Sequence, residues 1–157
     1  MKNILPVTLV ALAFLMSGAM SGIWWAGAAP RVERLKIDCA KGNRSFYVEV
    51  VREEAERNKG LMFRKHMAAN HGMLFDYDPP QVVGFWMKNT FIPLDIIFIG
   101  ADGRIIRIQE NAVPLSLTHI PSGGEARAVL EINGGLAAKL GIRTGDVVHH
   151  SLFQSPH

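Results

Sequence analysis

Short apolar runs, separated by turn residues, dominate this sequence. Leu35, Ile37 and Cys39 alternate with charged residues, and Phe46–Val51 alternates again. A period of two predicts β-strands with one face toward solvent. Leu94–Ile99 is apolar on both faces, which predicts the most buried strand of the sheet. A chain built from such pieces is expected to fold as a sheet.

Turn residues divide the rest of the chain. Asp102-Gly103 between two apolar runs predicts a hairpin. Asp78-Pro79-Pro80 is expected to end a strand. Residues 111–125 are expected to form a long loop, because they contain Pro114, Pro121, Gly123 and Gly124. The further predicted strands are Gly72–Phe75, Val82–Lys88, Arg104–Glu110, Ala128–Ile132 and Val147–Phe153.

Two short segments predict helices. Glu53–Lys59 is polar and ends at Gly60, and Gly135–Leu140 ends at Gly141; glycine commonly caps helices at this position. The predicted fold class is therefore α+β but mainly β: a mostly antiparallel sheet of about seven strands with two short helices. We expect the sheet to curl into a barrel-like shape, which hides its edges.

The amino-terminal segment predicts export. Lys2 precedes an uncharged, mostly apolar stretch, and Ala26-Gly27-Ala28 supplies the small residues of a cleavage site. We interpret residues 1–28 as a signal peptide and residues 29–157 as a single domain with its core at about 35–152, periplasmic or extracellular. The alternative is an uncleaved anchor, since the stretch is long enough to span a bilayer and Trp24 and Trp25 suit its interface.

The net charge and the cysteine content limit which classes of partner are expected. Without Lys2, the 17 basic residues become 16 against 14 acidic ones, a net charge of +2, and no basic cluster marks a nucleic-acid-binding face. We therefore expect no nucleic-acid partner, and membrane contact only if the amino-terminal segment is retained. No cofactor is predicted. Cys39 is the only cysteine, so it forms no disulfide within the chain, and we interpret it as a small apolar strand residue.

One block carries a family resemblance. Phe85-Trp86-Met87-Lys88-Asn89-Thr90 precedes Ile92-Pro93-Leu94-Asp95-Ile96; Gly60-Leu61-Met62-Phe63-Arg64 and Gly72-Met73-Leu74-Phe75 stand upstream, and Val129-Leu130-Glu131 and Gly141-Ile142-Arg143-Thr144-Gly145-Asp146 downstream. In this order the blocks resemble the domain-of-unknown-function family number 192. The resemblance implies a small, mainly β prokaryotic domain, often exported, with no established activity. Glu125 stands where relatives often have proline.

The same block supplies candidate ligand-binding residues. In an extended chain Trp86, Lys88 and Thr90 share one face, opposite Asn89, and a reversal before Pro93 would bring Lys88 to Asp95. The pair would then line a pocket with Trp86 as a stacking wall. The structural alternative is a turn in which Asp95 accepts backbone amide hydrogens.

Two further candidates come from outside the block. Arg64 has the geometry to clamp an anion, or to hold Asp76 or Glu131 in an ion pair. Met62, His66 and Met73 offer ligands that suit Cu(I), although methionine more often fills apolar cores. We thus predict an envelope domain that binds a small ligand or a protein in a groove lined by Trp86, Lys88, Arg64 and residues 121–124. The alternatives are an enzyme that uses Asp95 with Lys88 or Arg64, and a copper-handling protein.

Overall fold

A single curled sheet organises the part of the chain that the computed structural model describes, residues 31–154. The elements are β1 (Val32–Cys39), β2 (Gly42–Val51), α1 (Glu54–Lys59), β3 (His71–Phe85), β4 (Leu94–Ile99), β5 (Ile105–Ala112), β6 (Ile120–Asn133), α2 (Leu136–Leu140), β7 (Val147–His149) and a 3₁₀ helix (Ser151–Phe153). The predicted signal peptide lies outside the described residues. No helix within residues 31–154 has the length and apolar character to cross a membrane.

The sheet closes on itself at one end. Its strand order is β5-β4-β6-β3-β2-β1-β7. Every pair is antiparallel except β2 and β3, which run parallel because α1 crosses between them. The two edge strands approach each other: Val148 N donates to Gly103 O at 2.8 Å, and Ile105 N donates to Asp146 O at 3.0 Å. The mainly β, curled, mostly antiparallel sheet predicted from sequence is therefore confirmed.

Two apolar clusters lie on opposite faces of the sheet. The inner cluster, enclosed by the curl, contains Ile105 and Val148 of the edge strands together with Leu74, Leu130 and residues of α2. The outer cluster, on the other face, contains residues of β3, β4 and β6 and is covered by apolar side chains from the loops: Met73, Phe75, Ile96, Phe98 and Val129, with Leu61, Met87 and Ile92 above them. Each fully buried Leu, Ile or Phe contributes roughly 1.5–3 kcal/mol. Both faces of β4 are buried, as the sequence predicts.

The strand expected to end at Asp78-Pro79-Pro80 continues to Phe85. The predicted strands Gly72–Phe75 and Val82–Lys88 are thus one strand, β3, which ends three residues early. Its pairing with β6 shifts register between Asp76 and Gln81, so the prolines lie in a bulge where no ladder hydrogen bond is needed from them. Turn chemistry alone did not distinguish a bulge from a strand end.

The loop expected over residues 111–125 is also shorter. β5 extends to Ala112 and β6 begins at Ile120, so only residues 113–119 connect them. A second register shift, between Val82 and Gly84, accommodates Pro121 in β6, and Gly123 takes a φ of 75° there. The last strand ends at His149 rather than Phe153.

The predicted helices form within a residue or two of their expected bounds. Glu53 caps α1, where it and Glu56 bond each other's backbone in a capping box. Gly60 and Gly141 end the two helices with positive φ. Cys39 closes β1, packs against the inner cluster and donates to Gly42 O, in keeping with its interpretation as a strand residue.

Candidate ligand-binding groove

A groove of about 640 Å³ lies over the outer face of the sheet. Residues of α1 and of the turn after it, β3 from Phe75 onward and the segment after Phe85 form its walls. Phe75, Tyr77 and Phe85 supply aromatic lining, Lys59 and Lys88 supply positive charge, and Glu131 of β6 supplies an acid. Its lining is therefore mixed, as in sites that bind a small molecule by an apolar body and a few polar atoms.

Glu131 is the most unusual residue of the groove. It lies on β6 between Met73 of β3 and Ile96 of β4, both of which belong to the outer apolar cluster. Its side chain is 5% exposed, and Oε2 has no hydrogen-bond partner within the described residues. Burial raises the pKa of Glu131 to about 8, although the positive charge of Arg64 acts in the opposite direction. A carboxyl group with that pKa is mostly protonated at neutral pH and offers an O–H donor.

Arg64 is fixed in an ion pair. Its guanidinium donates to both carboxylate oxygens of Glu49 on β2, with distances of 2.5 and 2.7 Å. The hydrogen bond from Arg64 lowers the pKa of Glu49. The structural reading of Arg64 therefore fits the structure, but its partner is Glu49 rather than Asp76 or Glu131. Arg64 does not line the groove.

Trp86 and Lys88 form one wall of the groove. The two alternate with Met87, which is buried in the outer cluster, so both project to the surface. Lys88 Nζ lies 5.3 Å from the centre of the Trp86 ring, a cation–π arrangement. Asn89 takes a φ of 54°, which turns the chain, and Thr90 is buried with its hydroxyl on Lys88 O. Trp86, Lys88, Asn89 and Thr90 all line the groove, as the sequence grouped them.

Asp95 lies elsewhere, buried at the start of α2. Oδ1 accepts hydrogen bonds from Asn111 N and Gly135 N at 2.8 and 2.9 Å, and Oδ2 accepts one from Ala137 N at 2.7 Å. The residue is fully buried. The expected hairpin contact with Lys88 does not form, because Asp95 caps α2 and joins it to β4 and β5. The turn alternative named backbone amides as its partners, and the structure supplies three of them.

The methionines belong mainly to the core. Met73 and Met87 are buried in the outer cluster, and Met67 packs against it. Met62 lines the groove and accepts a weak contact from the Asn89 amide at 3.8 Å, and His66 is exposed. No group of three or more His, Cys, Asp or Glu residues in the described part of the chain is placed to hold a metal ion.

Glu131 was not chosen as a site residue from sequence. It appeared only within the family block and as a possible partner of Arg64. A signal was present: Glu131 interrupts Ala128–Ile132, an otherwise apolar run, and a charged residue is seldom fully buried without a partner. Residues 121–124, expected in the groove, belong to β6 and are not part of its lining.

Together these features define a small, mainly β domain with a mixed polar and aromatic groove on the outer face of a nearly closed sheet. The chain belongs to the DUF192 family, described as "Uncharacterized ACR, COG1430", which it matches over residues 36–150. The family resemblance seen in the sequence is thereby confirmed. The comparison with curated proteins gives no match.

Two solved structures are similar to this chain. One is a protein of unknown function from Novosphingobium aromaticivorans DSM 12444, with 46% identity over 80% of this chain and 89% of that one and a TM-score of 0.77. The other, from Sinorhizobium meliloti 1021, is described as a candidate transcription regulator; it has 41% identity over 79% of this chain and 97% of that one, with a TM-score of 0.76. The second protein consists almost wholly of the shared fold.

Proposed function

We propose that this domain binds a small acidic organic molecule in the groove, with Glu131 as the hydrogen-bond donor at its floor. One observation carries the proposal: Oε2 of Glu131 is buried beside a cavity, with no hydrogen-bond partner among residues 31–154. Leaving a buried polar atom unpaired costs about 1–3 kcal/mol, so such an atom in a native structure calls for an explanation. A ligand oxygen that accepts from the protonated carboxyl group would satisfy it.

The charges of the groove favour an acidic ligand. Lys59 and Lys88 line it, and neither has an ion-pair partner among residues 31–154. Arg57 is already committed, because its guanidinium donates to backbone oxygens and stacks 5.2 Å from the Tyr77 ring. Glu54 is the other acid of the lining. Two free ammonium groups and a neutral carboxyl group therefore suit a carboxylate, while Trp86 and Phe85 suit a flat apolar body.

The proposal is tested with the protein comprising residues 31–157, in which Trp86 is the sole tryptophan. A relative that is almost wholly this domain has a crystal structure, so the fold stands without a long amino-terminal segment. Benzoate and phenylacetate serve as probes, and benzamide as the neutral analogue. We expect the carboxylates to change Trp86 emission and to bind more tightly than benzamide.

The pH dependence isolates the role of Glu131. Above about pH 8 its ionised carboxylate repels an anion and no longer donates, so benzoate affinity should fall roughly tenfold per pH unit. Glu131→Gln keeps an N–H donor and should remove this fall. Lys88→Gln should weaken benzoate binding, and Lys65→Gln, an exposed lysine outside the groove, should not. The proposal fails if no probe binds and native mass spectrometry of the purified protein shows only the bare chain.

Export remains part of the proposal. It rests on the signal-peptide pattern of residues 1–28. Amino-terminal sequencing of the mature protein from envelope fractions tests it. If the mature protein retains residues 1–28, the segment is a membrane anchor and not a cleaved signal peptide.

The alternative functions gain less support. An enzyme based on Asp95 would need that carboxylate at a cavity, and it is held by three backbone amides instead. A copper site would need Met73 accessible, and it is 3% exposed. The regulator description of one relative finds no counterpart in the described residues, since α1 and α2, with 6 and 5 residues, are too short to serve as recognition helices.

A further inference from the structure

Large exposed apolar side chains gather on three loops: residues 60–70 before β3, residues 86–93 before β4 and residues 113–119 before β6. Six of the nine exposed large apolar residues in the described chain lie there, with exposed fractions from 46% to 68%. We call them the apolar platform: Phe63, Trp86, Phe91, Val113, Leu115 and Leu117. Together they expose on the order of 500 Å² of mostly apolar surface, about the size of the largest patch on a typical monomer.

Backbone hydrogen bonds hold the three loops together. Phe63 N donates to Asn89 O at 2.8 Å, which joins the first loop to the second. Leu115 N donates to Thr90 O at 3.1 Å, and Met87 N donates to Ser116 O at 2.9 Å, which joins the second to the third. The rings of Phe63 and Phe91 meet edge to face, with centres 6.2 Å apart. The three loops that carry the platform are therefore held side by side.

Acidic residues avoid this surface. The chain contains 14 of them, yet none lies in residues 57–75, 79–94 or 111–124, which include all three loops. The loops carry Arg64, Lys65 and Lys88 instead. Glu49 of β2 contacts them and is paired with Arg64, and Glu54 and Glu131 share the groove lining with Trp86 and Lys88. The three loops thus contribute apolar side chains and positive charge, and no acid of their own.

We propose that the platform docks on an anionic lipid bilayer. Trp and Phe side chains favour the boundary between headgroups and acyl chains, and each nearby Lys adds attraction to anionic lipids. Self-association through the same face is less favourable, because it would bring Lys65 and Lys88 of two copies together. This docking requires neither retention of residues 1–28 nor an occupied groove.

Vesicle binding tests the proposal with the protein comprising residues 31–157. One vesicle contains phosphatidylcholine alone, and the other contains about 30% phosphatidylglycerol, enough to give a negative surface potential. We expect co-sedimentation with the anionic vesicle, weakened by salt, and a blue shift of Trp86 emission as the indole leaves water. Equal binding to both vesicles, or binding to neither, would overturn the proposal.

Matched variants distinguish binding through the platform from non-specific adsorption to vesicles. Leu117→Ser should weaken vesicle binding roughly tenfold, and Lys65→Gln roughly fivefold. Val82→Ser, which alters a residue as exposed as Leu117 but outside the three loops, and Lys139→Gln should have no effect. None of the four substituted residues lines the groove, although Val82 follows Gln81, which does. The benzoate assay therefore remains an independent readout. If ultracentrifugation shows a dimer that Leu117→Ser dissociates, the platform is a contact between copies and the lipid proposal is wrong.

Discussion

At the scale of single residues, Asp95 has a structural role that the sequence alone does not distinguish from a role in binding or catalysis. Its carboxylate accepts three backbone hydrogen bonds at 2.7–2.9 Å, and these join β4, the end of β5 and the start of α2. Asp95→Asn replaces one accepting oxygen by an NH₂ group that faces a donor. We expect it to lower the free energy of unfolding by about 2–4 kcal/mol. Urea denaturation measures this loss.

Glu125→Gln provides the comparison for Asp95, since Glu125 is exposed. It should change the unfolding free energy by less than about 0.5 kcal/mol. Equal stability of Asp95→Asn and the native sequence would show that the buried carboxylate does not organise α2.

Glu131 is expected to make the folded protein less stable as the pH rises. Its pKa is about 8 in the folded protein against an ordinary value of 4.5. Between these values the folded protein keeps a proton that the unfolded chain has released. The contribution to stability is therefore full below about pH 4.5, declines as pH rises and is lost above about pH 8. We expect Glu131→Gln to gain roughly 2–4 kcal/mol relative to the native sequence between about pH 5 and 9 in urea denaturation.

A pH-independent difference between these two proteins would contradict the raised pKa of Glu131. Glu125→Gln again serves as the comparison, because its difference from the native sequence should stay flat over the same range. The measurement is independent of any ligand, so it tests the buried carboxyl group even if the groove binds nothing.

These two acids also show what the sequence reveals of a site. Trp86, Lys88, Asn89 and Thr90 could be grouped in advance because neighbours in sequence stay neighbours in space. Asp95 is only seven residues from Lys88, yet its side chain lies beside the start of α2, where three backbone amides hold it. Glu131 reaches the groove through strand pairing with β3, a contact 58 residues apart along the chain between Met73 and Glu131. Local pattern carries no information on such pairing.

At the scale of elements, the Arg64–Glu49 pair fastens the loop before β3 to β2. Only arginine presents two parallel N–H donors to a carboxylate, so Arg64→Lys keeps the charge and loses the fork. We expect amide hydrogen exchange of residues 60–70 to accelerate about tenfold, equivalent to about 1.4 kcal/mol of local opening. Lys65→Arg, at the exposed neighbouring residue, should leave exchange unchanged. Unaltered protection in Arg64→Lys would mean that the Phe63–Asn89 hydrogen bond alone holds the loop.

Elements with strong periodicity were predictable, and their connections were not. β4, apolar on both faces, and the two glycine-ended helices were found close to their predicted bounds. The proline-containing part of β3 and the start of β6 were expected to be loops, because prolines and glycines usually mark turns. In the folded chain these parts of β3 and β6 pair with each other. The two register shifts in that pairing place Pro79, Pro80 and Pro121 at irregular positions, where a strand tolerates proline.

At the scale of the whole molecule, one sheet with a core on each face raises the question of whether the two cores unfold together. Leu130 belongs to the inner cluster and Phe75 to the outer one, yet β6 and β3 pair with each other and contribute to both. Breaking either cluster must therefore disturb the strands of the other. We expect Leu130→Ala to lower the free energy of unfolding by about 2–5 kcal/mol and Phe75→Ala by about 3–5 kcal/mol, each in a single transition.

Trp86 makes this cooperativity measurable, because in the protein comprising residues 31–157 it is the sole tryptophan and lies on the side of the outer cluster. If the cores are coupled, Leu130→Ala shifts the urea midpoint of Trp86 fluorescence by as much as that of far-ultraviolet circular dichroism. Val82→Ala, a truncation at the surface, should shift neither midpoint appreciably. Two separate midpoints in Leu130→Ala would mean that the platform and groove keep their structure after the inner core has opened, and that the curled sheet unfolds as two units rather than one.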